Sequence, residues 1–127
     1  MTPPGSADAW VPERGEVIWI DHNPQAGREM RDHHPFLVLS SASFHRVVGL
    51  VVGCAMTSAP YNRGSSLAVD LGAIADRPGA RSYVLCQQLK SFDWRARAAR
   101  PHPMGMLPPE QLRQVQEIVG QILGFGA

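Results

Sequence analysis

The stretch Gly15 to Leu39, GEVIWIDHNPQAGREMRDHHPFLVL, constrains the fold most. Val17–Ile20 and Phe36–Leu39 are unbroken apolar runs of four residues each, rich in β-branched and aromatic side chains. Short runs of this kind bounded by Gly and Pro read as strands buried on both faces. Between them, NPQAGREMRDHH gathers two arginines, two acids and two histidines. A polar loop between buried strands is a natural carrier of function, because the strands hold it still.

The 127 residues suit one domain with its own core. Hydrophobic residues make up 44% and charged residues 18%, ordinary values for a soluble globular chain. A formal net charge of +1 excludes a grossly basic nucleic-acid binder. The charge is uneven, however: Arg77, Arg81, Lys90, Arg95, Arg97 and Arg100 crowd a region whose acids are Asp76 and Asp93. Such a cluster either attracts phosphates or forms a solvated face. Cys54 and Cys86 lie in apolar contexts without metal-ligand spacing, and read as buried free thiols of a reducing compartment. The start MTPPGSADAW has no charged segment leading into an apolar one, so no signal peptide is expected. The longest apolar run, Val47–Met56, is too short to span a bilayer. A cytoplasmic location follows as the expectation.

Along the chain, residues 1–13 read as a loose tail and 14–127 as a single domain. SSASFHR suits one short helical turn capped by Ser40 or Ser41. A third strand is expected over Val47–Met56, where Gly49 and Gly53 suggest a bulge or a close backbone approach. Leu67–Leu71 and Ser82–Leu89 read as further strands, with turn-rich connections between them. WRARAAR, Trp94–Arg100, alternates so as to put Arg95 and Arg97 on one strand face, and His102–Met106 reads as a break, with the two prolines Pro101 and Pro103. PPEQLRQVQEIVGQILG carries helical spacing at Leu112, Val115, Val119, Ile122 and Leu123, with prolines at its start and Gly124 at its stop. Short adjacent strands followed by one helix imply an α+β domain with an antiparallel sheet.

Two sites stand out for chemistry. His33 and His34 can exchange a proton near neutral pH while Arg28 and Arg31 hold an anion; the plainer reading is a pair of solvated loop histidines. Thr57 puts a hydroxyl at the end of a buried strand, a common place for threonine. Adjacent histidines do not easily share one ion, and no further His or Cys stands at ligand spacing, so no metal and no cofactor are expected. No GxSxG elbow, P-loop or GxGxxG appears, which argues against serine-hydrolase, nucleotide-binding and dinucleotide chemistry. Trp19, Phe92 and Trp94 read as core, the last two alternatively as subunit contacts.

WVPERGEVIWIDHNPQAGRE, HPFLVLS, the strand ending CAMTS, QQLKSFDWRARAAR and LPPEQLRQVQEIV together resemble the MazF/PemK family of toxin endoribonucleases, in order and spacing, from about Trp10 to Gly124. The resemblance implies an SH3-like antiparallel β-barrel of the CcdB/PemK type with a C-terminal helix, and a homodimer. It implies metal-independent cleavage of single-stranded RNA at a short sequence by 2′-hydroxyl attack, leaving 2′,3′-cyclic phosphate and 5′-hydroxyl ends. A MazE-like antitoxin is the implied partner, with DNA engaged only through it. The family threonine falls on Thr57. The family arginine that precedes the second strand's proline falls on His34, and Gln87 stands where many members carry aspartate. Imidazole is the better proton carrier and guanidinium the better anion clamp. The expected site is therefore His34 and Thr57 as catalytic residues, with Arg28, Arg31, Ser58, Lys90, Arg95 and Arg97 binding RNA and phosphate. The alternative is a weakened relative acting as a CcdB-like inhibitor or an antitoxin-binding regulator.

Overall fold

The described residues form six strands and two α-helices: β1 Glu16–Asp21, β2 His33–Val38, α1 Ala42–Val48, β3 Leu50–Thr57, β4 Ala68–Ala73, β5 Arg81–Asp93, β6 Arg100–Met106 and α2 Pro109–Leu123. The computed structural model describes residues 10–24, 26–29, 33–75 and 77–125. The strands pair antiparallel in the order β4-β5-β3-β2-β1-β6 and curl into a half-barrel. This is the α+β barrel class with a C-terminal helix that the sequence implied.

Alternation along β1 and β2 explains why their apolar runs have no polar break. Val17 and Leu37 point to one face, where they meet Cys54, Met56, Val84 and, from α2, Val115 and Val119. Ile18, Ile20, Phe36 and Val38 point to the other, packed with Val51, Phe92 and Trp94. Each such side chain contributes roughly 1.5–3 kcal/mol on burial. Cys54 and Cys86 are free and buried, and burial pushes their thiols up to about 12 and about 11.

Ser41 caps α1, its Oγ accepting the Phe44 N–H at 3.3 Å, as the sequence suggested. The helix absorbs Val47 and Val48 and stops at Gly49, whose φ of 82° is a left-handed cap. β3 therefore starts at Leu50, not at Val47. Gly53 is the close approach: a Cβ there would lie 1.9 Å from the Leu37 carbonyl oxygen. The bulge expected nearby falls between Cys54 and Met56.

Two readings near the C-terminal end are corrected. WRARAAR is not a strand before Arg100. The Asp93 carboxylate accepts the Ala96 N–H at 3.0 Å, the Ala99 N–H bonds the Trp94 carbonyl at 2.9 Å, and Ala98 takes a φ of 55°. These contacts coil the segment into tight turns, and Arg95 and Arg97 share no strand face. His102–Met106, read as a break, belongs to β6; the strand tolerates Pro101 and Pro103 because it lies at the sheet edge, where one side needs no ladder.

Of the tail expected over residues 1–13, residues 1–9 lie outside the described residues. Trp10 stacks edge-on to Trp94 at 5.6 Å, and His45 Nδ1 lies 2.6 Å from the Pro12 carbonyl oxygen, so residues 10–13 sit on the core. Among the described residues no helix is long and apolar enough to cross a membrane.

Candidate active site

β2 opens with His33 and His34, and β3 closes with Thr57. Their register pairs Phe36 with Ala55, so two steps further along the antiparallel ladder His34 comes level with Thr57. Both line one groove of about 610 Å³, and Ser58 and Arg77 line it with them. Thr57 Oγ1 accepts the Ala59 N–H at 3.2 Å, which leaves its own hydrogen to donate. Arg77 Nη2 donates to Ser58 Oγ at 3.3 Å, which likewise frees the Ser58 hydrogen. Arg77 is carried by the β4–β5 turn, where its N–H bonds the Ile74 carbonyl at 3.1 Å and its carbonyl accepts the Ala80 N–H at 3.0 Å. The groove thus combines imidazoles, two hydroxyl donors and a permanent cation.

Three of the expected site residues, His34, Thr57 and Ser58, meet here. Arg31 lies outside the described residues. Arg28 is exposed on the β1–β2 loop, its carbonyl accepting Gln88 Nε2 at 3.3 Å. Lys90 pairs with Glu29 at 3.4 Å, and together these two contacts tie the loop to β5. Arg97 donates to the Asp21 and Asn23 carbonyls and stacks on Phe92 at 4.5 Å, while Arg95 stacks on Trp94 at 4.1 Å. None of these four cations lines the groove.

The groove also holds residues that sequence reasoning missed. Arg77 was visible only as one of a basic cluster, 19 positions beyond Ser58. Trp19, expected in the core, is half-buried and faces the groove beside His102, at 4.6 Å between ring centres. β1 buries Ile18 and Ile20 fully, but its other face runs past the end of the α2-covered core at Trp19.

Behind His34 sits His22, 1% exposed, its ring edge-on to His34 at 6.3 Å and enclosed by Phe36 and Phe92. Neither ring nitrogen has a hydrogen-bond partner among the described residues. Burial, then the positive charges of His34, Lys90 and Arg97, push its pKa down to about 4 against the opposing pull of Asp21. Among the described residues no three His, Cys, Asp or Glu converge to hold a metal ion.

Comparison with known proteins puts a family around this geometry. The family model for the PemK-like, MazF-like toxin of type II toxin–antitoxin systems matches residues 13–123. The chain belongs to the PemK/MazF family. Among curated relatives, the Escherichia coli K12 endoribonuclease toxin MazF is 30% identical over 115 residues, 91% of this chain and 96% of that protein. The E. coli endoribonuclease PemK is 31% identical over 114 residues, 88% of this chain and 77% of that protein. The crystal structure of MazF from Deinococcus radiodurans superposes with a TM-score of 0.78 at 35% identity, covering 91% of this toxin and 98% of that chain. A MazE–MazF complex from the same organism gives 0.73 at 34% identity, covering 92% and 99%.

Proposed function

We propose that this PemK/MazF toxin is a metal-independent, sequence-specific endoribonuclease that cuts single-stranded RNA. The observation that carries the reading is the meeting of His34, Thr57, Ser58 and Arg77 in one groove of an endoribonuclease-family fold. His34 takes the proton from a ribose 2′-hydroxyl, and the 2′-oxygen attacks the adjacent phosphorus. The bond to the 5′-oxygen breaks as that oxygen gains a proton from solvent or a groove histidine. The products are a 2′,3′-cyclic phosphate and a 5′-hydroxyl. The Thr57 and Ser58 hydroxyls donate to the non-bridging oxygens, and Arg77 offsets the charge that builds on them. RNA is required because the nucleophile is its 2′-hydroxyl.

Kinship with the D. radiodurans MazE–MazF complexes supports a MazE-like antitoxin as partner, laid over the groove as a helix or extended segment. Val47, Tyr61 and Phe125, 85%, 86% and 81% exposed, are apolar surface that supports a homodimer. Light scattering should return about twice the 13.9 kDa of one chain; a monomeric mass would refute the dimer. Reduced Cys54 and Cys86 suit a cytoplasmic location.

The test is a long single-stranded RNA incubated with the purified protein in EDTA, with cut sites and end groups mapped. Cuts at one short motif with cyclic-phosphate ends are expected, falling by roughly 10²–10⁴-fold in His34→Ala. Thr57→Val, which keeps the shape and removes the donor, should also lose most activity. No cutting by the folded protein would overturn the reading.

A further inference from the structure

The groove is larger than a phosphate needs. At about 610 Å³ it falls in the roughly 300–1,000 Å³ range of pockets that enclose a whole small molecule. Away from Ser58 and Arg77 its walls are Trp19, Pro35, Ile74, His102, Pro103 and Met104. These are aromatic or apolar surfaces around the His102 ring, while His33 and Ser82 add polar groups elsewhere in the lining.

The two rings are held from different strands. β1 and β6 pair with Trp19 opposite Arg100, which brings the Arg100 guanidinium to 5.6 Å from the Trp19 ring centre. His102, two residues on, meets Trp19 at 4.6 Å with the planes 44° apart. The Met104 N–H donates to His102 Nδ1 at 3.0 Å, so Nδ1 is the unprotonated nitrogen and the ring hydrogen sits on Nε2. Burial holds the His102 pKa below the ordinary histidine value, which keeps this neutral tautomer in place at physiological pH. Met104, 39% exposed, adds a polarisable and adaptable side chain at the rim.

An unpaired nucleobase has the matching chemistry: a π face for aromatic and guanidinium surfaces, and an edge with hydrogen-bond acceptors. A hydrocarbon ligand would leave a fixed N–H donor unused. We propose that this end of the groove is a nucleobase subsite, in which the base next to the scissile phosphate lies against Trp19 and His102 and accepts a hydrogen bond from His102 Nε2. The inference rests on the ribonuclease reading, whose Arg77 and Ser58 place the phosphate at the adjoining end. His102 then acts in specificity: it favours a base with an acceptor on the presented edge.

The test reads binding separately from cutting. Heptamers of 2′-O-methyl A, C, G and U cannot be cleaved by 2′-hydroxyl attack, and an abasic heptamer carries the same phosphates without bases. Binding is followed by the intrinsic fluorescence of the wild-type protein. At least one base-containing heptamer should quench it saturably and bind at least about 5-fold more tightly than the abasic chain. Base–aromatic stacking is worth roughly 1–3 kcal/mol, so His102→Ala and Trp19→Leu should each lose about 5- to 150-fold in affinity for that heptamer. His102→Ala should also relax the base preference at one position of the mapped cleavage motif. Should Trp19→Leu fail to fold, His102→Ala on the edge strand decides alone. Equal binding of the abasic chain, or a His102→Ala protein with unchanged affinity and motif, would overturn the subsite while leaving the ribonuclease standing. If no heptamer quenches a folded protein, the subsite is likewise refuted and the platform falls to the antitoxin.

Discussion

His22 shows how one residue can set the acid limit of the fold. Its pKa in the folded state, about 4, lies below the ordinary histidine value of 6.5. The unfolded chain therefore takes up a proton as the pH drops below about 6.5, and the native state resists it. The associated stability is present above pH 6.5 and is lost between 6.5 and about 4, a change of the order of 3 kcal/mol. His45 and His102, whose pKa values are also lowered chiefly by burial, act in the same direction. His22→Phe removes the proton-binding group, and with it two nitrogens that find no partner among the described residues, from a ring box of Phe36 and Phe92. We expect it to unfold at higher urea at pH 7, by about 1 kcal/mol or more. Its loss of stability from pH 7 to pH 5 should also be shallower; an unchanged pH slope would refute this account. Arg77 makes the opposite case: in the proposed reaction it offsets phosphate charge, and it is exposed, so its loss should touch activity and not folding. Arg77→Ala should lower kcat/KM by about 10²–10³-fold with the unfolding midpoint within about 0.5 kcal/mol of wild type. Arg77→Lys, a charge without the fork, should recover only part of it. Nothing in the sequence near GAIADRPGA marks Arg77 for the site, because its proximity to Ser58 is made by the pairing of β3 with β5, which sets Thr57 opposite Tyr83 beside the β4–β5 turn.

At the scale of elements, the legible parts were those whose pattern is set by burial. β1, β2 and α2 were readable from apolar spacing, and Gly53 from its place in an otherwise apolar strand. WRARAAR was misread because alternation of arginine and alanine imitates a strand, while the Asp93 side chain and the left-handed Ala98 that coil it have no periodic signature. β6 was missed because prolines signal a break unless the strand lies at an edge, which only the sheet order reveals. Two predictions belong here. Gly53→Ala drives a methyl against the Leu37 carbonyl oxygen and the Phe36 ring, and should destabilise by about 3 kcal/mol or more, read as the shift in urea midpoint. His45 Nδ1 lies 2.6 Å from the Pro12 carbonyl oxygen and Nε2 lies 2.6 Å from Ser40 Oγ, so it joins α1 to the segment that carries Trp10. His45→Ala should free that segment, exposing the tryptophan as a red-shifted emission and costing about 2 kcal/mol or more. An unshifted spectrum would mean that the Trp94 contact and the Trp10 Nε1–H bond to Glu16 hold it without His45.

For the molecule as a whole, the family motifs carried the fold and the pairing of His34 with Thr57, since both depend on the order of strands along the chain. The surroundings of the site were not legible. Lys90, Arg95 and Arg97, basic in sequence, are engaged with Glu29, Trp94, Phe92 and loop carbonyls, and the groove draws instead on Arg77, Trp19 and His102 from three different elements. The central claim is that a histidine moves the proton in this toxin. The most direct measurement is single-turnover cleavage of one RNA in EDTA across pH 5 to 8, for the wild type and for His34→Arg. The wild-type rate should change steeply within that window, where imidazole titrates, and the His34→Arg profile should lose that inflection. A wild-type profile that stays flat, or one that keeps its inflection when His34 becomes arginine, would contradict the assignment.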